Sequence, residues 1–224
     1  MRVVVIGASG NIGTSVLQAL EADPEVSEVI AVARRAAPPT PKVEWRERDV
    51  TADDLRPDLE GADAVVCLQW LIQPSRDLET LRATNVDGNR RVFEAAAAAG
   101  VPALLYSSSV GAYSPGPKDR AVDEQWPTGG IESSFYSRHK AEVERILDEF
   151  EAGMRVVRMR PALVFKREAA SGIRRLFAGP LVPSPLVRRS LIPVVPRSPR
   201  LRFQAVHSLD VGEAFHLAAQ SPVT

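Results

Sequence analysis

Short apolar runs rich in valine, isoleucine and alanine alternate with longer segments of helical periodicity along the first 160 residues. Runs that are apolar throughout are typical of strands buried on both faces, and their alternation with helices predicts a parallel sheet with helices on both sides. The predicted strands are Val3–Ile6, Val29–Ala33, Val43–Arg46, Ala64–Leu68, Ala103–Ser107 and Arg155–Met159. The predicted helices are Ile12–Ala22, Leu78–Ala99 and Tyr136–Glu151. The fold class is therefore α/β, with a doubly wound parallel sheet.

The pattern changes in the last third of the chain. Six prolines lie between residues 180 and 199, which excludes a long regular helix there. A short strand is predicted at Phe203–Val206 and a final helix at Val211–Gln220. We expect a core over residues 1–160 and a partial substrate-binding lobe over residues 161–224.

The net charge of zero is the sum of two unlike regions. Residues 1–153 carry 16 basic and 25 acidic side chains, whereas residues 154–224 carry 12 basic and 3 acidic ones. The basic region suits a phosphate-bearing substrate, contact with an acidic surface, or simply a solvated arginine-rich surface. Charge alone also permits nucleic-acid binding, but no recognition module accompanies it. We therefore expect a small-molecule substrate and no nucleic acid.

Composition narrows the cellular setting. Hydrophobic residues make up 45% of the chain and charged residues 25%, which excludes wholesale disorder. No apolar stretch approaches the roughly 20 residues that span a bilayer, and the first residues form a strand pattern rather than a signal peptide. Cys67 is the single cysteine, so a reducing compartment is expected, and His207 has no partner at metal-ligand spacing, so no metal site is predicted. These features predict a cytoplasmic enzyme or binding protein that does not associate with membranes.

The first strand runs directly into a glycine-rich loop, Gly7-Ala8-Ser9-Gly10-Asn11-Ile12-Gly13, which opens the first helix. In this spacing the first glycine allows a tight turn, the second lets a pyrophosphate approach, and the third lets helix and strand pack closely. The helix N-terminus then binds phosphate. An ordinary strand–helix turn is the alternative, but the position straight after the first strand favours a dinucleotide. The predicted contacts are Gly7, Ser9, Gly10, Asn11, Ile12 and Gly13.

Two arginines follow the second strand, where an acidic residue would bind the ribose hydroxyls of NAD. Arg34 and Arg35 fit the 2′-phosphate of NADP better, because a guanidinium group binds phosphate through two parallel hydrogen bonds. NADP is therefore predicted, with NAD as the second choice and with solvent-facing arginines as the plain alternative. Asp49, just after the third strand, is placed to accept a hydrogen bond from the adenine amine.

Tyr136 and Lys140 lie four residues apart, on one face of a helix start. A free phenol has a pKa near ~10, and a nearby ammonium group favours the phenolate and lowers that pKa. Such a pair suits proton transfer to or from an alcohol or ketone, although the same spacing also arises by chance on many helices. Three serines, Ser107 to Ser109, end the fifth strand, where a hydroxyl can hydrogen-bond the reacting oxygen or simply form a turn.

Together these motifs resemble an extended short-chain dehydrogenase/reductase of the NAD-dependent epimerase/dehydratase family. Beyond the glycine loop, the matching segments are Asp49-Val50, Thr84-Asn85-Val86-Asp87-Gly88, Ser107-Ser108-Ser109 with Tyr113, Tyr136 with Lys140, Arg160-Pro161 with Val164-Phe165, and Val206-His207 with Asp210-Val211. The resemblance implies a Rossmann-type fold and a catalytic set of Ser109, Tyr136 and Lys140. It also implies that Asp49 and Val50 frame the adenine. The other implied cofactor contacts are Leu68, Gln69, Tyr136, Lys140, Pro161, Val164 and Asn85, the last near the nicotinamide.

The chain also departs from the family pattern. Gln69 puts a bulky amide where a small residue normally borders the cofactor, and Ala162 and Lys166 stand where the family has glycine. Family members generally continue well beyond the segment Val206–Val211, whereas this chain stops at Thr224. The C-terminal lobe is thus expected to be a fragment, or a short version whose pocket is open or completed by another subunit.

The expected function is that of an NAD(P)-dependent oxidoreductase or epimerase-like enzyme. Tyr136 would exchange a proton with the substrate, Lys140 would hold the ribose, and Ser109 would orient the reacting oxygen during hydride transfer. The expected substrate is a sugar nucleotide or a small carbonyl compound, and the alternative function is a non-catalytic NADP(H)-binding sensor. The resemblance also implies a homodimer formed through Leu78–Ala99 and Tyr136–Glu151.

Overall fold

Six parallel strands form the central sheet in the described part of the chain. The computed structural model describes residues 1–72, 77–117, 119–169 and 204–221. The strands are β1 (Arg2–Ile6), β2 (Glu28–Ala33), β3 (Val43–Glu47), β4 (Ala64–Cys67), β5 (Ala103–Ser107) and β6 (Arg155–Met159). Their order is β3-β2-β1-β4-β5-β6, so the winding of the chain reverses between β1 and β4. This order confirms the predicted doubly wound sheet, which binds ligands at such a reversal, beyond the carboxyl ends of the strands.

Helices cover both faces of this sheet. In chain order they are α1 (Asn11–Ala22), α2 (Arg56–Leu59), α3 (Leu78–Arg82), α4 (Gly88–Ala98), α5 (Phe135–Asp148) and α6 (Ser208–Gln220). Two further strands, β7 (Leu163–Phe165) and β8 (Ala205–His207), pair in parallel in a small separate sheet. Within the described residues, no helix is both long enough and apolar enough to cross a membrane.

Alternate residues of each strand point to opposite faces and build two apolar layers. On one face, Val4 and Ile6 of β1 belong to a cluster with Phe93 of α4. On the other face, Val3 belongs to a cluster with side chains of α1 and with Phe215 of α6. All five side chains are at most 1% exposed. Burial on both faces explains why the strands are apolar at nearly every position.

A π-helical turn at Ala83–Asp87 interrupts the long helix that the periodicity predicts at Leu78–Ala99. The prediction of one continuous helix is therefore wrong. The turn separates α3 from α4, and a β-carbon at Gly88, just after it, would lie only 2.8 Å from Val50 Cγ2. The predicted end of the helix is confirmed, because α4 ends at Ala98 and Gly100 has a φ of +70°.

The last helix packs directly on the first. The Oγ atoms of Ser15 and Ser208 lie 2.9 Å apart, and a β-carbon at Gly212 would lie 2.6 Å from the backbone of Ser15. Helix α6 begins at Ser208, three residues before the predicted start. The reason is a cap, since the His207 side chain accepts a hydrogen bond from the N–H of Leu209 over 3.2 Å. Apolar side chains of α6 join the same core layer as those of α1.

Much of the predicted C-terminal lobe lies outside the described residues. The proline-rich segment and Phe203 both fall within residues 170–203, which the structure does not describe. Strand β8 begins at Ala205, so it overlaps the strand predicted at Phe203–Val206. The division of the chain near residue 160 stays a prediction.

Candidate active site

The loop between β1 and α1 forms a backbone cradle. Gly7 has a φ of +84°, and its N–H donates to the carbonyl of Val32 over 2.9 Å. A β-carbon at Gly7 would lie 2.7 Å from the Gln69 nitrogen, and one at Gly13 would lie 2.5 Å from the Gly7 oxygen. Among the described residues no side chain caps α1 at Gly10, so the first amides of the helix are free to face an anion. The cradle therefore fits a pyrophosphate.

A cavity of about 200 Å³ lies beside this cradle, at the carboxyl ends of β1, β2 and β4. Predicted cofactor contacts make up more than half of its lining: Gly7, Ser9, Gly10, Arg34, Asp49, Val50, Leu68 and Gln69. The remaining lining residues are Ile6, Val32, Ala33, Arg48, Trp70, Leu71 and Thr84. The cavity therefore lies at the reversal point of the sheet, where the strand order predicts a ligand.

Charged residues line the end of the cavity that is formed by β2 and β3, where Arg34, Arg48 and Asp49 lie. The Asp49 carboxylate accepts hydrogen bonds from the hydroxyl of Thr51 over 2.7 Å and from its N–H over 2.9 Å. These bonds, together with the charge of Arg34, lower the pKa of Asp49. The Nε atom of Arg48 lies 2.8 Å from Asp58 Oδ2, so an ion pair already holds this guanidinium.

The two predicted arginines occupy different environments. Both are exposed, but Arg34 lines the cavity and Arg35 lies outside its lining. Arg48, which sequence reasoning missed, does line it. The available signal was a basic residue immediately after the third strand and directly before Asp49. Of the predicted pair, Arg34 is therefore the residue that can contact a ligand in the cavity.

Ser109 and Tyr136 meet at Gly111, in the turn that follows β5. A β-carbon at Gly111 would lie 2.9 Å from Tyr136 Cε1 and 3.3 Å from Ser109 Oγ. Ser109 caps this turn by accepting the Gly111 N–H over 3.0 Å, and Ser134 caps α5 by accepting the Ser137 N–H over 3.3 Å. Burial raises the pKa of Tyr136, and a hydrogen bond with Ser109 opposes that shift. Tyr136 is thus a neutral phenol at pH 7 beside a second hydroxyl, as a proton donor requires.

The Lys140 ammonium is buried, with 4% of the residue exposed. It donates to the carbonyl of Ser107 over 2.6 Å and to the hydroxyl of Tyr106 over 3.2 Å. Burial lowers the pKa of Lys140 well below its usual value, and the charge of Glu144 opposes this shift. The sequence predicts that Lys140 lowers the pKa of Tyr136. In this structure the shift of Tyr136 has the opposite sign, because burial is its largest cause.

Trp70 contacts both members of the predicted acid–base pair. The centroid of its ring lies 3.5 Å from Lys140 Nζ, and the ring meets that of Tyr136 edge-on at 5.7 Å between centroids. The sequence analysis identified the bulky Gln69 but not Trp70, the residue after it. A large aromatic residue directly after a predicted cofactor contact was the sign that Trp70 belongs to the site. Because Trp70 also lines the cavity, its indole joins the cavity wall to the predicted acid–base pair.

The sequence also did not predict an ion pair between α5 and the residues that follow β6. The guanidinium of Arg160 binds the carboxylate of Glu144 through two contacts of 2.7 and 2.8 Å, and Glu144 also accepts a hydrogen bond from Ser108. Arg160 further donates to the hydroxyl of Tyr113 over 3.2 Å. These contacts connect α5, which carries the predicted base, to the turn that carries Ser109. They therefore fix the position of Tyr136 relative to Ser109, the two groups that the sequence predicts to be catalytic.

Three predicted cofactor residues that do not line the cavity connect neighbouring segments of the site instead. The Asn85 side chain accepts the N–H of Leu71 over 2.7 Å and donates to its carbonyl over 3.1 Å. Asn11 donates to the carbonyl of Val164 over 3.1 Å, and the carbonyl of Pro161 accepts an N–H from the turn after β5 over 3.2 Å. The predicted contacts outside the cavity lining are Asn11, Ile12, Gly13, Arg35, Asn85, Tyr136, Lys140, Pro161 and Val164.

Comparison with known families decides the class of this protein. The NAD dependent epimerase/dehydratase family matches the chain over residues 3–224. The chain belongs to this family. Membership of the NAD dependent epimerase/dehydratase family indicates a nicotinamide cofactor and an enzyme of that type, in agreement with the resemblance that the motifs show.

Curated relatives of this epimerase/dehydratase family member are much longer than the part they share with it. The chain is 26% identical over 188 residues to an uncharacterised protein of Mycobacterium tuberculosis. This match covers 82% of this chain and 17% of that protein. The chain is also 32% identical over 108 residues to the L-arabinose 1-dehydrogenase (NAD(P)(+)) of Haloferax volcanii. This second match covers 48% of this chain and 41% of that protein. The chain thus matches less than half the length of either relative.

Solved structures share the fold of this family member. MoeE5 in complex with UDP-glucuronic acid and NAD is 24% identical, with a TM-score of 0.78, and the match covers 100% of this chain and 73% of that one. The UDP-N-acetylglucosamine 4-epimerase of Methanobrevibacter ruminantium M1, in complex with UDP-N-acetylmuramic acid, is 21% identical, with a TM-score of 0.79, and the match covers 100% and 74%. At this level of identity the likeness establishes the Rossmann-like fold alone.

Proposed function

We propose that this chain is an NAD(P)-dependent oxidoreductase or epimerase-like enzyme that acts on a hydroxyl or carbonyl group. The proposal rests on one arrangement of side chains. Ser109 and Tyr136 both contact Gly111, and the ring of Trp70 lies between Tyr136 and the cavity beside the glycine cradle. A bound nicotinamide supplies or accepts the hydride. The protein supplies the groups that bind the dinucleotide, orient the substrate and move the proton.

Each polar side chain at the site has a defined task in this proposal. Tyr136 gives its hydroxyl proton to the substrate oxygen during reduction and takes a proton back during oxidation. Ser109 donates a hydrogen bond to the same oxygen and so fixes its position. Lys140 binds hydroxyl groups of the cofactor ribose through its ammonium group. Because burial raises the pKa of Tyr136, the proton-donating form predominates at pH 7.

A sugar nucleotide is the substrate class that we favour. Support comes from two structures of the same fold, MoeE5 and a UDP-N-acetylglucosamine 4-epimerase, both of which were solved with a UDP-sugar. A small carbonyl compound is the alternative. A panel of UDP-glucose, UDP-glucuronic acid, L-arabinose and simple ketones, assayed with each nicotinamide cofactor, tests the assignment. Turnover confined to the ketones would select the alternative.

A non-catalytic NADP(H) sensor is the second candidate function. The observation that favours it is the indole of Trp70 against the ammonium group of Lys140, since it occupies a position that a catalytic ligand would need. Saturable cofactor binding without turnover on any member of the panel would support the sensor. Turnover that depends on Tyr136 would exclude it.

We expect NADP to be preferred over NAD, and we expect Arg34 to determine that preference. The change Arg34→Ala should weaken NADPH binding by about 10-fold or more, because it removes charge-assisted hydrogen bonds to the 2′-phosphate. The affinity for NADH should change by less than a factor of about 3. Fluorescence titration of both reduced cofactors measures the effect. Arg35→Ala is the matched control, because Arg35 lies outside the cavity lining and its removal should barely change either affinity. Equal or tighter binding of NADH by the unmodified protein would contradict the expected preference.

A further inference from the structure

The Lys140 ammonium group has three N–H donors, and the structure gives each of them a partner. One donates to the Ser107 carbonyl over 2.6 Å, and one donates to the Tyr106 hydroxyl over 3.2 Å. The face of the Trp70 ring is the third partner, with its centroid 3.5 Å from Nζ, whereas the Tyr106 ring centroid is farther away, at 4.7 Å. A cation over an indole face is attracted most strongly where water is excluded, as it is around this buried lysine.

Hydrogen bonds hold the residues on both sides of Trp70, Leu71 through its backbone and Gln69 through its side chain. Leu71 exchanges two hydrogen bonds with the side chain of Asn85, which is fully buried in the π-helical turn. Gln69 donates from Nε2 to Asn89 Oδ1 over 2.8 Å. The neighbours of Trp70 are thus anchored to the α3–α4 segment, and this anchoring aims the indole at Lys140.

The indole also separates the cavity from the acid–base pair. Trp70 lines the cavity, whereas Tyr136 and Lys140 do not, although both touch its ring. A ligand hydroxyl that enters from the cavity and binds the ammonium group must therefore take the place of the indole face. Two groups, the indole and the incoming hydroxyl, compete for one N–H of Lys140.

We propose that the indole of Trp70 competes with a hydroxyl group of the bound dinucleotide for the ammonium group of Lys140. Trp70 is then a positioning residue, and its contact with Lys140 lowers the affinity of the site for the cofactor. This inference rests on the proposed function, because it assumes that a nicotinamide dinucleotide occupies the cavity. It adds a residue to that function and predicts that the indole changes position when the cofactor binds.

Affinity measurements on a double-mutant cycle test the proposal. The proteins compared are the unmodified chain, Trp70→Leu, Lys140→Met and the double variant, titrated with NADH and NADPH. Removing the competitor by Trp70→Leu should tighten binding by roughly 3- to 30-fold, the range set by a desolvated cation–π contact. Trp70→Phe, which keeps a weaker aromatic face, should give an intermediate gain. In the Lys140→Met background, Trp70→Leu should change the affinity by less than about 2-fold, because no ammonium group is left to compete for.

The outcomes separate this proposal from the proposed function. If the unmodified protein binds neither reduced cofactor, both fail. If it binds one of them and Trp70→Leu leaves the affinity unchanged, weakens it, or has the same effect in both lysine backgrounds, only the role of Trp70 is overturned.

A second measurement avoids any change at Trp70 itself. Trp45, Trp70 and Trp126 are the three tryptophans of the chain, so the variant Trp45→Phe/Trp126→Phe reports on Trp70 alone. Saturation with NAD⁺ or NADP⁺ should change the intensity and wavelength of its emission as the ring leaves the ammonium group. Unchanged emission at saturation, with binding verified by calorimetry, would overturn the proposal.

Discussion

Replacing Tyr136 with phenylalanine is expected to lower kcat by about 10²- to 10⁴-fold, the range that a positioned acid–base group contributes. The ring itself should stay in place, because its contacts with Gly111 and Trp70 involve carbon atoms that phenylalanine keeps. Steady-state rates on the best substrate of the panel, together with the dissociation constant of NADPH, measure the effect. The affinity for NADPH should change by less than about 3-fold, so that the loss appears in the proton-transfer step. A variant that retains more than about a tenth of the rate would remove Tyr136 from the proposed mechanism.

The pH dependence of the unmodified enzyme gives the same prediction a second readout. Burial raises the pKa of Tyr136 above the ordinary phenol value of about 10. The phenolate that must act as the base in alcohol oxidation therefore becomes more abundant as pH rises from about 7 to about 10, and the oxidation rate should rise with it. Carbonyl reduction needs the neutral phenol, which is already the main form over this range. The variant Tyr136→Phe should lack the alkaline rise.

Replacing Glu144 with glutamine is expected to lower the free energy of unfolding by about 3 kcal/mol, because it leaves a largely buried guanidinium group without its carboxylate. The side chains of Glu144 and Arg160 are 4% and 17% exposed, and the pair makes two contacts shorter than 3 Å. Chemical unfolding in urea measures the change. Activity should also fall, since the same carboxylate accepts a hydrogen bond from Ser108, the neighbour of Ser109, which we propose orients the substrate.

The same helix provides a matched control for this prediction. Glu142 pairs with Arg82 through two contacts of 2.6 and 3.0 Å, but the two side chains are 30% and 50% exposed. Glu142→Gln should therefore cost no more than about 1 kcal/mol. Similar losses in Glu142→Gln and Glu144→Gln would show that burial of the inner pair does not determine its contribution.

The sequence was sufficient to predict the sheet and the cradle because both depend on local patterns. Runs such as Val3–Ile6 are apolar at every position only when both faces are buried, and the glycine loop lies in one uninterrupted segment. Arg34 and Asp49 could be predicted to line the cavity because each lies just beyond the end of a strand. The carboxyl ends of parallel strands meet at one edge of the sheet, where ligands bind.

The features that were missed depend on contacts between distant segments. The π-helical turn leaves no mark on the apolar periodicity, because it inserts a wide turn while the buried face continues. Trp70 meets Lys140 across seventy positions of sequence, and Glu144 meets Arg160 across 16. The sign of the pKa shift at Tyr136 was also missed, because the motif shows a nearby lysine but does not show how deeply both groups are buried.

Energy transfer from Trp70 to bound NADPH or NADH, in the variant Trp45→Phe/Trp126→Phe, tests the central claim most directly. The claim is that a nicotinamide dinucleotide occupies the cavity with its reactive end near Tyr136, and Trp70 lies between that cavity and Tyr136. The predicted result is saturable binding with strong quenching of Trp70 emission and sensitised emission from the reduced nicotinamide. Failure of both cofactors to bind, or saturable binding that leaves the emission of Trp70 unchanged, would contradict the claim.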